Sequence, residues 1–327
     1  MTALQPIDRL DTHDVFNQVP PFENRNLFTG DRALVDAVNS AGAGEHGARL
    51  AAIGQCCGSA EVIEWGVEAN RQTPVLETYD RYGHRVDEVR FHPAYHDLMR
   101  LGLDSGFAAS AWGGSARGHT LHAAILFLTG QADSGTSCPM TMTYAAVPAL
   151  RADDALAKDW TPLLASRRYD PGVRALTDKV GALAGMGMTE KQGGSDVRAN
   201  VTRAVPVPGA DGTYTLHGHK WFTSAPMNDV FLVLAQTEGG VTCFVVPRVL
   251  ADGTRNQLDV VRLKDKLGNR SNASSEVEFR GAEGILIGEE GRGIPTIIAM
   301  ATHTRLDCVI GSAAILRHAL MQALHHA

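Results

Sequence analysis

The sequence predicts an α+β fold, and three observations lead there. Apolar residues recur at helical spacing from Asp31 to about Arg168, short β-branched runs separated by glycine turns fill residues 183–288, and helical spacing returns after Gly291. The chain accordingly divides into an N-terminal arm (1–30), an all-α segment (31–182), an antiparallel β domain (183–288) and a second helical segment (289–327).

The arm is polar, with Val19-Pro20-Pro21-Phe22 at its centre, and reads as extended chain that must lie on something else. Asp31 is placed to cap a helix whose apolar positions are Leu34, Val35 and Val38, ending near Gly42 and Gly44. Leu50, Ile53, Val62, Ile63 and Val67 predict another helix, and the apolar runs His119–Gly130 and Met140–Arg151 continue the theme. In the β segment, Asp211-Gly212 turns the chain into the alternating run Thr213–His217. Val230–Ala235 and Val241–Pro247, separated by Glu238-Gly239-Gly240, then Leu258–Leu263 and Ser275–Phe279, repeat the pattern. In the last segment Ile294, Ile297 and Ile298, then Leu306, Val309, Ile310, Ala313, Leu316 and Leu320, form stripes that reach the final residue without a terminating Gly or Pro. Such an apolar face needs a partner, so the expectation is that the chain is cut short there or that another subunit covers it.

At 327 residues, 44% hydrophobic and 20% charged, the composition is that of an ordinary soluble globular protein with room for two domains. The net charge of −6 argues against a chain that coats nucleic acid. Arg167-Arg168 and Lys264-Asp265-Lys266 are too short for a nucleic-acid patch. No apolar run approaches the roughly 20 residues of a membrane helix, and Met1–Asp14 carries no secretory pattern, so no membrane and a cytoplasmic location are expected. The five cysteines are scattered without metal-ligand spacing, and the adjacent Cys56 and Cys57 read as two buried thiols on a helix. Gly42-Ala43-Gly44-Glu45-His46-Gly47 fits a dinucleotide pattern but follows a helical stripe rather than a strand, and reads as a helix stop. The pairs His92/His96 and His119/His122 have spacings a metal uses; without carboxylates or cysteines beside them they read as surface or core histidines, and no metal is expected.

Two elements carry chemistry. In the first, a strand enters the loop Met186-Gly187-Met188-Thr189-Glu190-Lys191-Gln192-Gly193-Gly194-Ser195. Glycines let backbone amides approach a bulky anion, Ser195 adds a donor, and Thr189 offers a hydroxyl to the rim of a flat ring. A plain glycine-rich hairpin is the competing reading. The second is Gly218-His219-Lys220-Trp221-Phe222-Thr223-Ser224, whose aromatics and hydroxyls suit stacking on a ring and bonding its heteroatoms, or simply a half-buried strand.

Together, a Thr-Glu loop ending in Gly-Gly-Ser-Asp and a following Gly-His-Lys-Trp-Phe-Thr-Ser strand resemble the acyl-CoA dehydrogenase family, and Lys266–Phe279 resembles the late strands of its β domain. Arg90–His96, Cys138–Thr143, Gly185–Val197, Lys264–Phe279 and the opening Thr12–Gln18 resemble one branch, the AidB-type flavoproteins of the adaptive response to DNA methylation. The resemblance implies a helical N-terminal domain, a middle antiparallel β domain and the start of a C-terminal helical bundle. It implies FAD gripped by residues Met186–Ser195, with Thr189 at the ring and Ser195 near the pyrophosphate. Phe222, Thr223 and Ser224 would lie on the other side, Ser224 at the ring's N5 and O4 edge. Phe222 stands where the wider family has Trp, and Lys191 replaces a proline, which should loosen that turn. The resemblance further implies self-association as a tetramer, a possible acyl-CoA ligand, and duplex DNA bound only through a basic C-terminal region beyond Ala327. The family's catalytic glutamate also falls beyond Ala327, so no catalytic residue is assigned. The function expected is an FAD flavoprotein linked to protection of DNA from alkylation, with weak or absent dehydrogenase activity. A metabolic short- or branched-chain acyl-CoA dehydrogenase and a non-catalytic remnant are the alternatives.

Overall fold

A computed structural model describes residues 12–327. The first eleven positions of the arm, and most of the stretch read for a secretory signal, lie outside the described residues. From Thr12 to Gly30 the chain has turns and bends but no helix or strand. Its later part docks on the helices: the amides of Arg25 and Leu27 donate to the carbonyls of Gly58 and Gly54 at 3.1 Å each.

The helical segment begins with α1 (Arg32–Ser40), whose Leu34 amide donates to the Asp31 carboxylate at 3.1 Å. The single helix read through Leu50–Val67 is two, α2 (Gly47–Cys57) and α3 (Ala60–Arg71). Contact with the arm explains the break, since a Cβ on Gly58 would lie 1.8 Å from the Arg25 carbonyl oxygen. Ser59 then restarts the helix by accepting the Val62 amide. Of the paired thiols at the end of α2, only Cys57 is buried; Cys56 is exposed.

An antiparallel hairpin of β1 (Val75–Tyr79) and β2 (Arg85–Arg90) interrupts the segment read as all α. β2 (Arg-Val-Asp-Glu-Val-Arg) carries four charges in six residues and hides its strand character, whereas β1 (Val-Leu-Glu-Thr-Tyr) has strand-forming residues that the helical reading passed over. Asp87 fixes the hairpin to the β domain by accepting the Val260 amide at 2.9 Å, and Arg85 donates to the Val260 carbonyl. Four helices follow: α4 (Pro93–Asp104), α5 (Gly118–Ala132), α6 (Ser137–Leu150) and α7 (Asp154–Leu164). His92 caps α4 by accepting the Ala94 amide, and Pro93 occupies its first turn. Leu50, Met99, Phe107, Ile125, Leu128, Tyr144 and Val147 are fully buried in the core these helices share.

The β domain has seven strands: β3 (Ala184–Gly187), β4 (Arg203–Pro206), β5 (Thr213–Ser224), β6 (Val230–Thr237), β7 (Gly240–Pro247), β8 (Leu258–Leu263) and β9 (Ser274–Ile287). They follow the order β3-β5-β4-β6-β7-β9-β8. Most pairs are antiparallel, as predicted, but β3 runs parallel to β6 from Ala184↔Val230 to Gly187↔Val233. Both strands leave the helical side in the same direction, so the intervening β4–β5 hairpin makes the return. The long pair β5–β9 runs from Thr213↔Ile285 to Ser224↔Ser274 and forms the backbone of the domain. Leu216, Phe231, Phe244, Val277 and Phe279 fill its own core.

The chain ends in one 34-residue helix, α8 (Gly293–His326), where the two stripes suggested separate helices. It packs on α5 and α6. Leu306, Val309, Leu316, Leu320 and Leu324 remain exposed along it. Among the described residues no helix is long and apolar enough to cross a membrane.

Candidate functional site

The two motif segments meet as neighbouring strands. Gly187 of β3 pairs with Thr223 of β5, and beyond the strand end the Trp221 amide donates to the Thr189 carbonyl at 2.8 Å. The loop after β3 is closed by reciprocal bonds between Glu190 and Gly193, at 3.0 and 3.3 Å. Its glycines have different tasks. A Cβ on Gly187 would press on the Lys220 stem at 3.1 Å, so this glycine serves strand packing. Gly193 has φ +142 with open space around it, and a Cβ on Gly194 would lie 2.4 Å from Thr189 Cγ2. That pair turns the loop and keeps its outer edge thin. From Lys191 to Ser195 the loop is exposed. The Lys191 amide, which a proline would lack, donates to His219 Nε2 at 3.1 Å.

Side-chain directions divide the predicted site residues. Phe222 is 53% exposed, and Ser224, two residues on along the strand, is half-buried. Thr223 between them points inward, with its Oγ1 buried and without a partner, and its carbonyl accepts the Ser275 hydroxyl at 2.9 Å. Glu190 also turns inward. Its carboxylate accepts Lys220 Nζ at 2.8 Å, the amides of Val201 and Thr202 at 2.7 and 3.1 Å, and the Gln192 side-chain amide at 2.8 Å. Glu190 and Thr223 therefore offer backbone, not side chains, to anything in the cleft. Met186 and Met188 are half-buried against the helical core. Thr189 Oγ1, like Thr223 Oγ1, is buried and has no hydrogen-bond partner.

Burial opposes the charge on Glu190, but Lys220 and the amide donors prevail and hold its carboxyl near 2. Burial pulls the Lys220 ammonium down to about 8, against its bond to Glu190.

Several neighbours were not foreseen. Lys264 Nζ sits 3.3 Å from the Trp221 ring centroid and 4.7 Å from that of Phe222, covering one side of the aromatic pair. Ser274 Oγ lies 3.2 Å from Ser224 Oγ, and Lys266 Nζ reaches Ser274 Oγ at 3.4 Å. Beside them a pocket of about 220 Å³ is lined by Lys264, Lys266, Arg270 and Asn272 among others. These residues come from the β8–β9 connection, about 40 positions from the strand they join, and no spacing in the sequence links them.

An exposed aromatic side chain (Phe222), a buried hydroxyl without a partner (Thr189), a half-buried serine (Ser224) and a thin glycine edge suit a flat ring bearing a pyrophosphate. The residues present fit FAD. Among the described residues no group of three or more His, Cys, Asp or Glu forms a metal cluster.

Residues 17–171 match the model of the adaptive response protein AidB N-terminal domain, and residues 185–282 match the acyl-CoA dehydrogenase middle domain. The chain belongs to the acyl-CoA dehydrogenase family. Within it, the AidB protein of Escherichia coli (strain K12) is 51% identical over 319 residues, covering 97% of this chain and 59% of that protein. Acyl-CoA dehydrogenase family member 11 of Caenorhabditis elegans is 33% identical over 281 residues, 81% of this chain and 44% of the relative. The solved structure of the C. elegans protein ACDH-11 in complex with C11-CoA superposes with a TM-score of 0.81 at 29% identity, over 96% of this chain and 55% of that one. The Bd2924 apo-form gives the same TM-score at 30% identity, over 93% of this chain and 62% of the other. This family chain thus spans about half to three fifths of the length of these relatives.

Proposed function

We propose that the chain is the FAD-binding part of an AidB-type flavoprotein, linked to protection of DNA from alkylation and retaining weak or no acyl-CoA dehydrogenase activity. The observation that carries this reading is the pairing of Gly187 with Thr223, which sets the thin Gly193-Gly194 loop beside exposed Phe222 and half-buried Ser224. Bound FAD supplies a hydride acceptor to the family chemistry, in which a carboxylate takes the α-proton of an acyl thioester as the β-hydride leaves. This chain's residues do the holding. Phe222 stacks on the ring, Thr189 and Ser224 bond its polar rim, and the Gly194 and Ser195 amides with the Ser195 hydroxyl receive the pyrophosphate. Met186–Ser195 and Phe222–Ser224 remain the cofactor residues, Glu190 and Thr223 through backbone alone. The segments 31–182, 183–288 and 289–327 are proposed as the helical, flavin-binding and C-terminal helical domains. Cytoplasmic location, tetrameric assembly and contact with duplex DNA through sequence beyond Ala327 belong to the same proposal.

A metabolic acyl-CoA dehydrogenase is the second reading, favoured by the C11-CoA in the complex of the C. elegans relative. Titration of the purified chain with FAD tests the first step: a bound flavin band with micromolar or tighter affinity is expected, and its absence defeats both readings. Robust turnover of acyl-CoA substrates by a longer form carrying the rest of the family sequence would favour the second.

A further inference from the structure

Lys266 is the ammonium in this region whose hydrogen-bond partners are both uncharged. Its Nζ donates to the Asn272 carbonyl at 2.7 Å and reaches Ser274 Oγ at 3.4 Å. Lys264, two residues away, is neutralised by Glu276 at 2.8 Å, a carboxylate it shares with Arg262. Ser274 Oγ in turn lies 3.2 Å from Ser224 Oγ, so a single hydroxyl separates the ammonium from Ser224. Among the described residues no carboxylate lies within 4 Å of its Nζ, and Asp133 offsets the charge only from farther away. Burial pushes the Cys138 thiol up, which keeps it neutral. Asp133 accepts Ser271 Oγ, the Thr136 amide and the Asn70 side chain, which turn its oxygens away from a direct ion pair with Lys266. Lys266 is half-buried, and burial pulls its pKa down, with Cys138 and Asp133 opposing. A partly desolvated charge acts over a longer range than a hydrated one.

We infer that Lys266, acting through Ser274 and Ser224, is the positioning charge that sets the reduction potential of the flavin at the edge contacted by Ser224. The inference rests on the FAD reading above. Hydride transfer to the ring delivers two electrons and one proton, so the ring gains one negative charge. A fixed positive charge nearby favours that state without giving up a proton of its own. Lys266 therefore tunes the cofactor and takes no part in bond making.

The test is the potential of the FAD-loaded chain, read by equilibration with a reference dye, in wild type and in Lys266→Gln, Lys266→Arg and Arg270→Ala. Lys266→Gln keeps a donor for the Asn272 carbonyl and deletes the charge. It should lower the reduced-to-oxidised ratio at a fixed potential about tenfold, ~30 mV more negative for a two-electron couple. Lys266→Arg and the exposed Arg270→Ala should stay within about threefold of wild type. A Lys266→Gln protein that binds FAD with an unchanged potential overturns the inference. Where Lys266→Gln does not fold or load, Lys266→Arg decides, since a shift of tenfold or more with the charge retained also overturns it. Wild-type chain that takes up no FAD defeats the underlying reading instead, and is told apart because the flavin keeps its free spectrum and separates from the protein on gel filtration.

Discussion

Lys220 Nζ lies 2.8 Å from Glu190 Oε1, with both side chains closed to solvent. This ion pair joins the flavin-loop candidate to β5 and fixes where Thr189 stands. Removing one partner strands the other as a buried charge, which costs about 3–5 kcal/mol. Glu190→Ala should therefore destabilise the chain by that amount in urea unfolding. Lys220→Met combined with Glu190→Leu should recover much of the loss in stability while leaving FAD affinity impaired, because the loop is no longer held by its amide bonds to Val201 and Thr202. Equal loss of stability in the single and double variants would contradict this account.

The same carboxylate predicts an acid limb. Glu190 ordinarily titrates near 4.5 and is held near 2 in the folded chain. A depressed carboxyl contributes stability that is complete above the ordinary value and disappears as pH falls through the folded one. Unfolding midpoints should drop between about pH 4.5 and 2, and Glu190→Gln should flatten that limb. Lys220, pulled down to about 8, acts at alkaline pH and leaves the acid limb unaffected.

Much of this was legible in the sequence for identifiable reasons. Asp31 sits three residues ahead of Leu34, the first position of a periodic stripe, and Gly212 and Gly240, with φ of +71 and +112, mark the turns where they were expected. The paired glycines of the loop and the Phe222-Thr223-Ser224 strand drew attention because small and aromatic residues in that order have few other uses. What stayed hidden depends on tertiary contact. Gly58 breaks a helix only because Arg25 of the arm lies across it. The β1–β2 hairpin exposes Val75 and Tyr79 beside Glu88 and Arg90, and it is held by Asp87 and Arg85 reaching Val260. Lys266 joins Ser224 through a loop closed by strand pairing, which no local pattern encodes.

Gly194→Ala tests the thin loop edge. The new Cβ would lie 2.4 Å from Thr189 Cγ2, so Thr189 must turn or the loop must lift. Gly194 is not at a left-handed φ, so little backbone strain is added. We expect a change in unfolding free energy within about 1 kcal/mol but a tenfold or greater loss of FAD affinity by fluorescence titration. Unchanged affinity would remove Gly194 and Thr189 from the cofactor's surroundings.

Ser224→Ala deletes one hydroxyl from the Ser224–Ser274 pair. One lost hydrogen bond to the cofactor accounts for about 0.5–1.5 kcal/mol. That should appear as a severalfold weaker FAD affinity or as a displaced potential, with no change in the far-ultraviolet spectrum. Identical titrations and potentials in variant and wild type would take Ser224 away from the ring edge.

Asp307 tests how α8 is held. His122 Nδ1 faces the Phe107 carbonyl at 2.7 Å, and because a carbonyl only accepts, that nitrogen carries a hydrogen. Its Nε2 bonds Asp307 Oδ1 at 2.9 Å, while Thr141 donates to Oδ2 at 2.6 Å. Both His122 and Asp307 are almost wholly buried, and Tyr144 stacks on His122 at 3.8 Å. Asp307→Ala strips partners from His122 and Thr141 at once and should cost about 3–5 kcal/mol. Asp307→Asn keeps the volume and one acceptor and should cost about 1–3 kcal/mol. Amide exchange should accelerate first in α8 near Ala301–Ile310 and leave the β5–β9 ladder protected. Uniform acceleration across both would mean that α8 and the β domain unfold together, and that this network does not hold the helix separately.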